Sequence, residues 1–289
     1  MVVLSVLVIS LVVFLIWRIM KCIIWAIRAA NMTYNIPGPK PWPIVGNGLL
    51  LAKINTPKED FDDKPTFYSD VLIQKANDYK LSWEEAGKLA TDFLVAGFDT
   101  SAATISYILL MLAIYPEHQE AVYQEQLDIL GDNTEGAPIW KQLSKMEYLT
   151  RVLKEVMRLY CPPGIYRKLT NDLELEGDYK LPKGCTTFIL FYYLHRDPTL
   201  WSHPNEFYPD HFLPEECARR PKNTYFPFSW GPRSCPGSNY AIASIKILIS
   251  AAIRKFKFET DLTFDKLEYK YSLLLEVSQG YMVRIKPRN

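Results

Sequence analysis

The apolar and polar positions divide the chain into segments of different character. From Met1 to Trp17 no residue is charged, and at ~1.5 Å per residue that run spans about 25 Å as a helix, close to a ~30 Å hydrocarbon core if Arg18 reaches the headgroups. The charges Arg18, Lys21 and Arg28 follow the run, whereas a cleaved signal peptide carries them ahead of it. Residues 1–28 therefore read as a transmembrane anchor with the body on the cytoplasmic side. In that orientation the Asn31-Met32-Thr33 sequon never meets the glycosylation machinery. Prolines 37, 39, 41 and 43 then stop any helix, so residues 29–63 read as a proline-rich hinge and junction, and residues 64–289 as the folded body.

Within the body, Ser82-Trp83-Glu84-Glu85 has capping-box spacing, which predicts a long helix from there to about Tyr115, just before Pro116. Its middle, Ala96-Gly97-Phe98-Asp99-Thr100-Ser101, weakens the ladder and predicts a bend. A second helix is expected over 116–131 and a third over 145–160, stopped by Cys161-Pro162-Pro163-Gly164. Leu173-Glu174-Leu175-Glu176 alternates ahead of a Gly177-Asp178 turn, and Thr186 to Leu194 is aromatic and aliphatic, so this stretch reads as strands. A Pro-rich coil follows over 197–237, then a helix over 240–256. Tyr271 to Ile285 reads as a terminal hairpin turned at Gln279-Gly280. The fold class is mainly α with a small antiparallel β component.

Composition narrows the function. With 33 basic and 32 acidic residues among 289, the net charge of +1 leaves no cationic field for nucleic acid. The 48% apolar and 22% charged shares suit a globular core. Five cysteines, at 22, 161, 185, 217 and 235, lie far apart without CxxC spacing, which argues against a disulfide framework or a zinc site and for a reducing compartment.

The candidate chemistry sits at the end of the coil, in Phe228-Ser229-Trp230-Gly231-Pro232-Arg233-Ser234-Cys235-Pro236-Gly237. A cysteine just before a helix N-terminus lies where amides and the dipole favour a thiolate, and a single thiolate ligand suits haem iron. Gly231 and Gly237 would let backbone approach a flat ring, Phe228 would shield the sulfur, and Arg233 would pair with a propionate. Taken singly, a lone cysteine is more often an inert thiol and one Arg a surface charge.

The decapeptide resembles the F-x-x-G-x-R-x-C-x-G signature of the cytochrome P450 superfamily, the haem-thiolate monooxygenases, and all five fixed positions match. Other segments resemble the same family in the same order. Ala96-Gly97-Phe98-Asp99-Thr100 is similar to its oxygen-activating segment, with Asp99 and Thr100 as the implied proton relay and Ala96 and Gly97 beside them. Glu155-Val156-Met157-Arg158 is similar to its E-x-x-R element, whose i,i+3 spacing puts both side chains on one helix face where they can form a paired charge beneath the coil; from the residues alone such charges read as a solvated surface pair. Pro37-Gly38-Pro39, His195-Arg196-Asp197-Pro198 and Phe207-Tyr208-Pro209-Asp210-His211-Phe212 extend the resemblance. Arg167 matches a position that binds a haem propionate, or else is a strand-edge charge. His211 stands where many members carry the arginine that completes the E-x-x-R cluster, which would make the clamp pH-sensitive. The coil is most similar to insect microsomal members near the fatty-acid hydroxylase clan. Ala96 stands where some of that clan tether haem through a glutamate, so no covalent link is expected.

The resemblance implies the C-terminal half of the cytochrome P450 fold behind an N-terminal transmembrane helix. The hinge ends near Leu51 and family-like sequence resumes by Lys64, so the central helical block that forms the substrate roof is expected to be missing. The resemblance also implies haem b held by Cys235, an NADPH-dependent reductase and cytochrome b5 as electron donors, an apolar small-molecule substrate, and location at the endoplasmic reticulum membrane. Two functions remain open: a working monooxygenase, or a truncated membrane-anchored remnant that binds haem weakly or not at all.

Overall fold

Ser82 begins the first described helix as its spacing predicts. Its hydroxyl accepts the Glu85 amide at 3.3 Å, and the Glu85 carboxylate accepts the Ser82 amide at 2.8 Å, reciprocally satisfying two donors the helix start would otherwise leave unpaired. The computed structural model describes residues 78–131, 138–177, 179–271 and 274–288. The expected anchor at 1–28 and junction at 29–63 lie outside the described residues. The chain divides into two units, Met1–Lys80 and Leu81–Asn289, and among the described residues the helices and strands below and the candidate site lie in the second.

Helix α1 (Trp83–Ile114) runs 32 residues without interruption through the glycine and hydroxyl residues at its middle. The Thr91, Thr100, Thr104 and Ser106 hydroxyls each donate to the carbonyl four residues back, so they are satisfied inside the helix. By length and composition α1 is apolar enough to cross a membrane. Tyr107, Ile108, Leu110, Met111, Leu112 and Ala113 nevertheless lie in the protein core, so its last turns face other helices.

Pro116 opens α2 (Pro116–Leu130), where a missing amide costs nothing. The short α3 (Trp140–Leu143) precedes α4 (Glu147–Tyr160). Leu149, Val152, Leu153, Val156, Met157 and Tyr160 recur on α4 at helical spacing and are all buried. After the Pro-Pro-Gly stop come β1 (Gly164–Lys168), β2 (Leu173–Glu174), β3 (Lys180–Leu181) and β4 (Thr186–Leu190). β1 pairs antiparallel with β4, Gly164 opposite Leu190 and Lys168 opposite Thr186. Only glycine fits at 164, because a Cβ there would lie 2.3 Å from the Ile189 carbonyl oxygen. β2 and β3 form the expected small hairpin, with Gly177 at φ +78° in its turn. The strand expected to continue to Leu194 instead stops at Leu190, and Phe191–Leu194 forms one helical turn, α5, whose Phe191 is buried.

The coil is more structured than its prolines suggest, holding a 3₁₀ turn over Pro209–Phe212 and helix α6 (Pro214–Arg219). Helix α7 (Ser238–Lys255) buries Ile245, Ile249 and Ile253 against α1. The strands β5 (Phe256–Glu259), β6 (Tyr269–Tyr271), β7 (Leu275–Val277) and β8 (Arg284–Pro287) complete the described chain. The expected terminal hairpin is not formed. β7 pairs with β6 and β8 pairs with β5, so Gln279-Gly280 links two sheets rather than turning one. Gln119 on α2 helps fix the second pair: its amide donates to the Leu112 and Phe258 carbonyls and accepts the Phe258 amide. The core is therefore the C-terminal half of α1 packed between α4 and α7.

Candidate functional site

Residues 226–237 fold into a closed loop that delivers Cys235 to the start of α7. Ser229, at φ +63°, donates its amide to the Phe226 carbonyl at 3.1 Å, and Gly231 takes φ +83°. The Cys235 amide returns to the Phe228 carbonyl at 2.9 Å, and the Ser234 amide to Gly231 at 3.0 Å. The thiol is exposed. A Cβ on Gly237, the residue that caps α7, would stand 3.9 Å from Cys235 Sγ, so the sulfur lies beside the helix N-terminus. The half-buried Phe228 ring packs on the core rather than standing free. Arg233 is exposed and has no hydrogen-bond or ion-pair partner among the described residues. Arg167 on β1 reaches this loop, its Nη2 donating to Ser229 Oγ at 3.3 Å.

Behind the loop lies a buried charge cluster. Glu155 and Arg158 are paired and both fully inaccessible, which fits a paired charge beneath the coil and not the solvated surface pair read from the residues alone. Arg158 holds the carboxylate through Nε at 2.9 Å and Nη2 at 2.7 Å. Its remaining donors serve the carbonyls of His195 at 2.7 Å, Pro204 at 2.8 Å and Glu206 at 2.8 Å. Glu155 also accepts the Tyr208 amide at 2.8 Å. Burial alone would raise the Glu155 carboxyl, but hydrogen bonds from Arg158 and His211 outweigh it and hold the group below its ordinary range.

His211 does enter the cluster, its ring buried against the Glu155 carboxylate. Its Nε2 accepts the His203 amide at 3.2 Å, which requires that nitrogen to be unprotonated, and its Nδ1 then donates to Glu155 at 3.2 Å. The ring thus supplies part of the hydrogen bonding that a guanidinium would give.

The other expected site residues lie on α1. Ala96, Gly97 and Asp99 are exposed and Thr100 is half-buried. The Thr100 hydroxyl donates to the Ala96 carbonyl at 2.7 Å, leaving its oxygen free to accept. Leu94, Val95 and Phe98 beside them are 67%, 59% and 73% exposed.

The sequence profile of the family described as "Cytochrome P450" matches residues 47–284, most of the chain. The chain belongs to this family. It is 36% identical over 252 residues to cytochrome P450 4g15 of Drosophila melanogaster, covering 83% of this chain and 44% of that protein. To cytochrome P450 4V2 of Homo sapiens it is 34% identical over 230 residues, covering 78% and 43%. A crystal structure of a cytochrome P450 (CYP102L1) superimposes with a TM-score of 0.67 at 27% identity, over 72% of this chain and 47% of that one. The chain therefore spans less than half the length of the curated relatives it matches.

Membership of the cytochrome P450 family implies haem b with a cysteine thiolate, and the residues present fit it. Cys235 is the described cysteine that combines exposure with a helix N-terminus. Cys161, by contrast, is pushed up to about 12 by burial and stays a thiol. Space is open around Gly231, where a Cβ would meet nothing within 4 Å. Sequence reasoning did not foresee Ser229 as the partner of Arg167, nor the carbonyls of His195, Pro204 and Glu206 as acceptors for Arg158. Hydroxyl and backbone partners leave no spacing signal, although the His195-Arg196-Asp197-Pro198 run was visible without a role.

Proposed function

We propose that the chain acts as a haem-thiolate monooxygenase of the insect microsomal type near the fatty-acid hydroxylase clan, lacking the central helical block. The observation that supports this most is the Cys235 loop: an exposed thiol beside the α7 N-terminus, inside a hydrogen-bonded turn. Bound haem b would supply reductive activation of O₂, with electrons from NADPH through a reductase or cytochrome b5, one oxygen atom entering an apolar small molecule and the other leaving as water. Cys235 would hold the iron. Arg233 and Arg167 would pair with the propionate carboxylates. Gly231 and Gly237 leave room for the ring's close approach, and Phe228 limits water at the sulfur.

On the other face, Asp99 would carry protons in from solvent. The Thr100 hydroxyl, its hydrogen already given to Ala96, would accept from a water and hold it for proton delivery. Gly97 keeps that stretch of α1 free of side-chain bulk. The anchor at residues 1–28 would place the body on the cytoplasmic side of the endoplasmic reticulum membrane.

A second reading, a membrane-anchored remnant that holds haem weakly or not at all, draws support from the exposed Leu94, Val95 and Phe98. An open distal face admits bulk water, which delivers protons without Thr100 and releases hydrogen peroxide. The reduced, carbon-monoxide-bound absorption spectrum decides between an organised and a disorganised site. A thiolate-type Soret band that disappears in Cys235→Ser and survives Cys161→Ser, Cys185→Ser and Cys217→Ser supports the first reading. With reductase present, product formed per NADPH then separates them further: Thr100→Ala lowers it in a working monooxygenase and leaves it unchanged in the remnant.

A further inference from the structure

The Cys235 loop is held at its far end by a side chain with no role so far. The Phe226 amide, two residues ahead of the carbonyl that binds the Cys235 amide, donates to His195 Nε2 at 2.9 Å. Phe226 also accepts the Ser229 amide at 3.1 Å, so it begins the turn that Cys235 closes. Because Nε2 accepts, the ring proton sits on Nδ1, which faces the Arg158 carbonyl at 3.2 Å. Arg158 answers by donating Nη1 to the His195 carbonyl at 2.7 Å. His195 is fully buried, with Phe191 and Tyr225 rings near it.

We infer that His195 is a positioning residue for the cysteine loop, a neutral imidazole that ties the Glu155–Arg158 cluster to Phe226 and so sets where Cys235 meets α7. The loop's functional meaning rests on the reading of Cys235 as haem ligand; the tether itself does not. The neighbouring Arg196 serves the same junction, donating to the Leu159 carbonyl at the end of α4 at 2.7 Å.

The tether depends on the neutral ring. Burial first, then the nearby Arg158 and Arg196 charges, push His195 down to about 4; the Arg158 carbonyl and Glu155 pull the other way. The remaining titratable neighbours, Cys161 with its Sγ 3.6 Å from Nδ1 and Tyr225, are both raised by burial and stay neutral. A proton on Nε2 would oppose the Phe226 amide and release it.

The test is hydrogen exchange of the full chain in detergent, without haem, following amides 226–235 relative to the core amides of 107–113. In His195→Phe, which keeps a ring but neither hydrogen bond, loop amides should exchange about tenfold faster at pH 7 while the core stays protected. His195→Gln, whose side-chain oxygen can still accept the Phe226 amide, should restore most of that protection. After correction for intrinsic rates, wild-type loop protection should fall between pH 7 and 4, and that of His195→Gln should fall less. If His195→Phe does not fold, the wild-type and Gln pH series decide alone. Unchanged loop exchange in folded His195→Phe, or equal acid sensitivity in wild type and His195→Gln, overturns the proposal. A thiolate band that persists in Cys235→Ser would instead remove the ligand reading and leave the tether standing.

Discussion

Arg158 and Phe98 show how differently the two sides of this molecule are built. All five N–H donors of Arg158 have acceptors within the protein, and it and Glu155 have no exposed surface. Phe98, with Leu94 and Val95, stands mostly in the open on the N-terminal half of α1. The support behind Cys235 is thus assembled from the chain's own groups, whereas the α1 face that carries Asp99 and Thr100 contributes little packing. Changes to the first should cost stability and changes to the second should not.

The largest expected effect comes from Arg158→Leu, which strands a carboxylate that has lost its charge partner. Urea unfolding followed by far-UV circular dichroism should show a loss of about 3–5 kcal/mol, or no folded protein. Arg158→Lys should recover only part, because three ammonium donors cannot reach acceptors arranged for a five-donor fork. A loss below about 1 kcal/mol for Arg158→Leu would mean that the buried cluster does not support the fold.

Next in size is acid. His195 falls from an ordinary 6.5 to about 4 on folding, so its contribution is complete above pH 6.5 and is lost as pH falls towards 4. About 2 kcal/mol should be gone at pH 5, and His118, also lowered by burial, acts in the same direction. Urea midpoints at pH 7 and pH 5 measure the loss, which His195→Gln should reduce. A wild-type midpoint as high at pH 5 as at pH 7 would contradict it.

Gly231→Ala should cost about 1 kcal/mol, because φ +83° strains any side chain although the space is open. The same unfolding curves show it. Smallest is the Leu94→Ser, Phe98→Ser double variant, expected within about 0.5 kcal/mol of wild type. A loss of about 2 kcal/mol there would show that this face is packed in solution, and the contrast between the two sides would fail.

Much of the local structure is legible in the sequence. The Ser82–Glu85 capping box, the stops at Pro116 and Pro162-Pro163-Gly164, and the cysteine decapeptide all act within a few residues, where spacing and chemistry suffice. The E-x-x-R spacing is legible too, but not its burial, since an i,i+3 pair looks the same on a solvated face. Nor does the aromatic run at 186–194 reveal where strand ends and helix begins; Phe191 enters the core and turns the chain.

The amino-acid order by itself determined where helices start and stop, which cysteine lies before a helix, and that His211 would bring an imidazole to its position. Tertiary structure alone decided that β8 returns to β5 rather than to its neighbour β7, that Glu155 and Arg158 leave water altogether, and that His211 joins them. Those outcomes depend on groups many residues apart sharing acceptors and excluding solvent, and short-range periodicity carries no record of which distant carbonyl a guanidinium will find.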